Sequence, residues 1–538
     1  MNFCSRSHAP RLRGIRHHGC STMSQLLPLL APTLLLLASA AGFRDPGRRP
    51  GRVPLLAEIA ALGAFAVALG SAWLAIAHGA ATSPLIGLFG IGLSARLDAV
   101  SMTMLVLVSF VGWIVVRYAR TYMDGEARQG LFTAWLTATL AAVLLLVQAG
   151  NLVQLVAAWF ASSWCLRQLL VFYPERVQAQ RAARKKALSA NAGAAVLVVA
   201  SLLLAWHYGT FDIATLLAAA RADEASGLMT VAALLLAVAA LLKSAQFPLH
   251  GWLTEVMETP TPVSALLHAG LVNAGGFLLI RFADVMLLAP GVLALLVFVG
   301  GFTALFGGLV MLTQPAVKTS LAWSTVAQMG FMMLQCGLAL FPLALLHIVA
   351  HSFYKAHAFL SSGEGVENVT AARRPGPIAI PDGWAVTRSF LAALAIYAFV
   401  GLLFGFEDSS PQAIALGAIL VFGVAYLLAQ GLADEAPRIL TRRTAIYSGA
   451  TAIAYFVLHR GAEALTAGTL PPTPVPTSLE WALVVLAVLS FALVAWAQAL
   501  FPLWAHHPAT APVRVHLSNG LYANAIADRL LGGWRRTA

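Results

Sequence analysis

Residues 241–271, LLKSAQFPLHGWLTEVMETPTPVSALLHAGL, place Lys243, His250, Glu255, Glu258 and His268 in an apolar setting otherwise free of charge. A single charge in hydrocarbon costs roughly 2.5–3.5 kcal/mol on insertion scales. Packing alone gives no reason for so many ionisable groups in one short span. Lys243 and His250 lie seven residues apart, two helical turns, which predicts one shared helix face. Pro248 between them cannot donate to a helix ladder, and ETPTP at 258–262 ends the segment. Inside a membrane such a break is tolerated where water or neighbouring protein satisfies the freed carbonyls. A lysine beside it is placed to exchange a proton. The plainer reading, a lysine at a helix end reaching for the interface, does not account for the acids and histidines that follow.

Outward from this stretch the chain reads as membrane protein. Of 538 residues, 59% are hydrophobic and 10% charged, against about 25% charged in soluble domains; the mean hydropathy is +0.79. Apolar runs long enough to cross about 30 Å of hydrocarbon lie at 26–43, 53–77, 97–116, 131–147, 152–172, 190–207, 228–247 and 263–282. Further runs lie at 291–312, 320–340, 342–360, 389–405, 412–430, 444–459 and 479–504. The reading is an all-α polytopic protein of 14 or 15 spans. Cys4, Cys20, Cys165 and Cys336 show no paired spacing, so neither a disulfide framework nor a cysteine metal site is expected.

The net charge of +12 sits mostly in loops, the signature of cytoplasmic loops rather than of nucleic-acid binding. Loops 44–52, 117–130 and 174–187 are rich in Arg and Lys, whereas 78–95 and 148–151 have none and 208–227 has only Arg221. This alternation predicts basic loops in the cytoplasm and the N-terminus outside. Residues 1–22 carry Arg6, Arg11, Arg13 and Arg16 and no acid, which would put them on the wrong side. Translation is therefore expected to start at Met23. At the other end, Leu521, Tyr522, Ala525, Ile526, Arg529 and Leu530 recur at helical spacing. An amphipathic helix within 512–538 is expected, lying on the membrane or a partner.

A second polar cluster follows. His347, His351 and Lys355 fall at i, i+4 and i+8 on one predicted helix, and Lys318 precedes the helix before it. Histidines a turn apart ending on a lysine suit a proton relay. HxxxH spacing also suits a metal, but Ile348 stands where H-E-x-x-H has its glutamate, and no third ligand is evident. Asp98 reads either as a helix-start acid or as an entry point for the ion.

The segments KSAQFPLHGWLTEVMETPTPVSALLHAG, RLDAVSMTMLVLVSFVGWIVVRYARTYM and LAWSTVAQMGFMMLQCGLAL with LLHIVAHSFYKAHAFLSSG closely resemble the antiporter-like subunits of respiratory complex I and of Mrp sodium/proton antiporters. The resemblance covers about 95–365. It implies two inverted five-helix repeats with broken helices, over 131–282 and 291–460, between N-terminal helices at 23–130 and a last span at 479–504. By match, Lys243 is the first-repeat lysine and His268 the histidine after it. Lys318, His347, His351 and Lys355 form the connecting and second-half relay. Two departures stand out. The family's Trp-Glu pair is Trp159–Phe160 here, and no lysine follows Lys355. Lys243 therefore needs another carboxylate, with Glu258, Asp98 or a partner's acid as candidates.

The ends, and VHLSNGLYANAIADRL in particular, are similar to one branch of this superfamily, the membrane subunit of the Dab inorganic-carbon pump. That resemblance implies a multi-pass chain of the cell inner membrane that conducts an ion, the proton by expectation. It implies a large zinc-bearing partner like a β-carbonic anhydrase, the other subunit of the Dab pump, and one-way CO2 hydration there. No cofactor and no catalytic residue are expected in this chain. The alternative is a cation/proton antiporter or complex I-like subunit. The expected ion path comprises Asp98, Lys243, His250, Glu258, His268, Lys318, His347, His351 and Lys355.

Overall fold

The computed structural model describes residues 22–88, 90–256, 259–363, 383–404, 406, 409–431, 438–500, 504 and 507–530. After a helical turn at Thr22–Gln25 and a 3-10 turn at Leu27–Leu29 come six longer helices: α1 (Leu30–Arg44), α2 (Val53–His78), α3 (Ala99–Tyr122), α4 (Gln129–Val147), α5 (Leu152–Leu170) and α6 (Val177–Tyr208). A short α7 (Ile213–Ala220) leads to α8 (Gly227–Lys243), and the chain then breaks before the single turn α9 (Gly251–Thr254). The next span is itself interrupted, as α10 (Thr261–Ala269), a turn of 3-10 helix and α11 (Ala274–Arg281). After α12 (Ala283–Leu287) come α13 (Pro290–Met311), α14 (Val317–Gly337) and α15 (Phe341–Leu360). The last spans are α16 (Gly383–Phe404), α17 (Pro411–Gly431), α18 (Arg438–Thr466) and α19 (Ser478–Ala499), and the tail adds α20 (Ala511–Ser518) and α21 (Ala523–Leu530).

Each of the fifteen apolar runs is met by helix. Nine of the described helices are long and apolar enough by length and composition to cross a membrane. Those that fall short include α8, one residue under the length, and the polar α14 and α15. On α15 the buried His351 and Lys355 depress the hydropathy, although their surroundings are protein rather than lipid. Residues from α1 through α15 share one apolar core. A second core joins α16–α19 to the near faces of α13–α15, through Val297, Leu334, Leu343, Tyr397 and Phe456.

The chain is not purely helical. Strands β1 (Ala81–Thr82) and β4 (Arg96–Leu97) pair antiparallel around a hairpin of β2 (Ile86–Leu88) and β3 (Ile91–Leu93). Gly87 and Gly92 face each other across that hairpin, where a Cβ on either would collide with the opposite backbone. The hairpin segment ties to the 148–151 turn through Asn151, whose amide donates to Gly92 O and Ser94 Oγ, both at 3.0 Å. The basic loops gather at the other end of the bundle. There Arg49 pairs with Asp124 at 3.7 Å, and Arg128 donates to Phe172 O.

Candidate functional site

Lys243 closes α8, is 6% exposed, and points between helices. Its Nζ donates to Ser163 Oγ at 2.7 Å and Ser162 Oγ at 3.4 Å, and stands 4.5 Å from the Trp159 ring centroid. Ser162 donates its own proton to Trp159 O at 2.9 Å, leaving its lone pairs for the ammonium. Phe160, where the family acid is expected, is 52% exposed and faces out of the bundle. One helical turn further along α5, two hydroxyls hold the lysine instead. Among the described residues no carboxylate pairs with Lys243. Phe160→Glu should therefore gain nothing. It should also lower the amount of chain in the membrane, since an outward acid costs roughly 2.5–3.5 kcal/mol. Quantitative immunoblotting with an uptake assay checks this, and raised uptake would mean that the side chain turns inward to Lys243.

The expected shared face of Lys243 and His250 is not formed. α8 stops at Lys243, and His250 follows a non-helical stretch as the N-cap of α9. His250 is fully buried among aromatic rings, 4.7 Å from Trp323 and 5.6 Å from Phe247, and among the described residues neither ring nitrogen has a hydrogen-bond partner. Pro248 prevents the continuous helix on which the spacing argument relied.

The second cluster is built around the interruption at Gly270. His351 Nε2 bonds to His268 O at 3.1 Å, Ser244 Oγ donates to Val272 O at 2.7 Å, and Asn273 Nδ2 donates to Ala269 O at 3.0 Å. Side chains thus satisfy carbonyls that the break exposes. His268 Nδ1 lies 3.0 Å from Thr325 Oγ1, and the Thr325 hydroxyl donates to Leu321 O at 3.0 Å. Lys355 Nζ reaches the same Leu321 O at 3.0 Å. Because Thr325 gives its proton to Leu321 O, the network assigns the N–H of His268 to Nδ1. The carbonyl partner likewise puts the N–H of His351 on Nε2. His268 Nε2 and His351 Nδ1 are left buried, without a hydrogen-bond partner among the described residues, each with a lone pair able to take a proton. His347 shares α15 with His351, its ring 6.0 Å from that of His351. His268, His351 and Lys355 thus form one connected group.

Lys318 lies inside the first turn of α14 rather than before it, and donates to Thr261 Oγ1 at 3.3 Å near the basic end. Glu258 lies outside the described residues. Asp98 sits at the opposite end as the N-cap of α3, accepting from Ser101 N at 2.8 Å. Arg281 grips it with two contacts of 2.6 and 3.1 Å, and Arg96 adds a third at 2.6 Å. Asp98 is thereby committed to two arginines and does not serve as the counter-ion of Lys243. It also borders a crevice of about 690 Å³ between α2, α3, α15 and residues 465–469.

Three features escaped the reading of the sequence. Lys186, assigned to a basic loop, lies inside α6 at 4% exposure, with Nζ 3.4 Å from Ser163 O. Its signal was the buried stripe Ala179, Ala182, Ala183, Lys186, Ala190, Gly193, a 3.6-residue period running through the charge. Lys185 beside it holds two acids, Glu255 and Asp528, each at 2.6 Å. Burial pushes Glu255 up from its ordinary pKa and the Lys185 ammonium opposes this. Asp528 belongs to the tail, which forms two short helices rather than one, with the chain turning at Gly520 over Trp323. The tail packs on the bundle, where Asn524 Nδ2 donates to Thr254 Oγ1 at 3.2 Å and Ser518 O accepts from Gln314 at 3.2 Å. Among the described residues, no three His, Cys, Asp or Glu side chains are grouped to hold a metal ion.

Comparison with known proteins agrees with this architecture. A family profile described as NADH:quinone oxidoreductase/Mrp antiporter, TM, matches residues 149–374, and one for the N-terminus of complex I chain 5 matches 84–133. The chain is 38% identical over 454 residues to the probable inorganic carbon transporter subunit DabB2 of Halothiobacillus neapolitanus, covering 82% of this chain and 81% of that one. It is 42% identical to the probable inorganic carbon transporter subunit DabB of Hydrogenovibrio crunogenus, covering 58% and 60%. It is also 37% identical to NADH-quinone oxidoreductase subunit L of Escherichia coli, covering 52% and 46%. The structure of the Mrp complex from Dietzia sp. shares the fold, with a TM-score of 0.61 at 22% identity, over 96% of this chain and 60% of that one. The chain belongs to the DabB family of inorganic carbon transporter subunits, within the superfamily of antiporter-like membrane subunits of complex I and Mrp antiporters.

Proposed function

We propose that this chain is the proton-conducting membrane subunit of an energy-coupled inorganic carbon pump. One observation carries the reading: a chain of this family keeps buried lysines and histidines in a connected group at helix breaks, where ion passage is what accounts for their burial. Protons pass between Lys243 and His268, move by way of the free nitrogens of His268 and His351 to Lys355, and leave near Lys318 or by a path through residues beyond it. Water completes the gaps between these groups. The basic loops face the cytoplasm of a cell bounded by an inner membrane.

The chemistry belongs to a partner, a large zinc-bearing subunit resembling a β-carbonic anhydrase, where CO2 becomes bicarbonate. Hydration alone is an equilibrium, and the gradient makes it one-way. One proton moving through 100 mV releases about 2.3 kcal/mol, enough for more than tenfold accumulation. An antiporter role is the second reading, supported by the likeness to the NADH-quinone oxidoreductase subunit. Phe160 and the lack of a lysine after Lys355 count against it.

Affinity capture of the chain from native membranes, with mass spectrometry and zinc analysis, tests the proposal. One large zinc-bearing partner is expected. Capture of quinone-reductase or small antiporter subunits in its place would overturn it.

A further inference from the structure

Lys186 has no place in the path just described, yet it is as deeply buried as Lys243. The two meet at one residue. Lys243 Nζ donates to Ser163 Oγ at 2.7 Å, and Lys186 Nζ to Ser163 O at 3.4 Å. Among the described residues neither forms an ion pair with a carboxylate, and each has only neutral oxygens as hydrogen-bond partners. Two like charges held on one residue of a desolvated site disfavour one another. A buried pair of ammonium groups without an acid is not a stable arrangement, whereas one ammonium beside one amine is.

We propose that Lys186 and Lys243 share a single proton across Ser163, and that Lys186 takes over the task for which antiporter-like chains use an acid: it sets when Lys243 releases its proton. In the exchange one N–H bond breaks at the Lys243 ammonium and one forms at the Lys186 amine, water carrying the proton past the Ser163 carbonyl, which only accepts, so the charge of the pair is unchanged. Repulsion between like charges replaces attraction between opposite ones as the control. The preceding residue on α6, Lys185, faces Glu255 and Asp528 at 2.6 Å each. An acid-bearing group thus lies one residue along α6 from Lys186. Phe160 then needs no compensating carboxylate.

This inference rests on the proton-path reading, and the test separates the two. Lys186→Met, Lys186→Arg and Lys243→Met are compared with wild type in membranes carrying the full complex. The readouts are chain level, co-purified partner, labelled inorganic carbon uptake and its pH profile. Methionine for a buried charge of similar volume is expected to be neutral or stabilising for the fold. Lys186→Met should nevertheless lower uptake about tenfold or more, and its residual activity should lose one limb of the pH profile. Lys186→Arg should fall similarly, because a guanidinium keeps its proton. If both variants match wild type in rate and pH profile while Lys243→Met is inactive, the shared proton is refuted. If Lys243→Met is active as well, the proton path itself fails. Should the arginine variant not accumulate, the pH profile of the methionine variant decides.

Discussion

Lys243→Met is expected to reduce inorganic carbon uptake by about 100-fold or more while the chain still accumulates. Its ammonium is held by two serine hydroxyls and the Trp159 ring, so among the described residues its removal strands no opposite charge. That is the arrangement in which loss of a charge spares the fold, because the severe penalty belongs to partners left ionised and unpaired. Lys243→Arg adds the sharper contrast. It keeps the positive charge but cannot be deprotonated at working pH. If Lys243 serves by exchanging a proton, the arginine variant is as inactive as the methionine variant. If it serves only as a fixed charge, the arginine variant keeps much of its uptake. Uptake per unit of chain, measured for both in the same membranes, separates the alternatives.

The second large effect falls on stability. Asp98→Asn leaves Arg281 at 3% exposure and Arg96 without their carboxylate. Breaking a buried pair in this way costs about 3–5 kcal/mol, a large share of the 5–15 kcal/mol typical of a folded domain. The purified variant should melt well below wild type in detergent, and less of it should reach the membrane. Asp98→Asn combined with Arg281→Gln should recover part of the loss, since the stranded charge is then gone. An unchanged melting temperature in the single variant would show that solvent or lipid headgroups reach Arg281. This clamp is distinct in kind from the Lys243 site. One residue is tied by ion pairs, whereas the other is held by neutral hydroxyls and a ring.

Much of this was legible in the sequence, for reasons that differ by element. Apolar runs and basic loops gave the spans, because hydrocarbon enforces helix and leaves little freedom. The placement of His347, His351 and Lys355 on α15 was legible because one unbroken helix carries them, so spacing translates directly into position. His250 failed for the opposite reason: seven residues mean two turns only while the helix lasts. Lys186 was hidden by its neighbours Arg181, Arg184 and Lys185, which made a helix read as a loop. The Ser162–Ser163 pair was hidden because an acid is the expected partner of a buried lysine, and only the rotation of α5 shows that Phe160 turns away. The β2–β3 hairpin is too short for alternation to register, and its one trace in the sequence is the opposed glycine pair.

The clamp at Asp98 also constrains how the protein can be made. Arg96 lies two residues from its partner, but Arg281 follows 183 residues later. At 5–20 residues per second, roughly 10–40 s separate the synthesis of the acid from that of its second arginine. During that interval α3 must lodge in the bilayer with its carboxylate answered by Arg96 alone. The neighbouring arginine is thus a chaperone in miniature, holding the charge until the rest of the bundle has arrived.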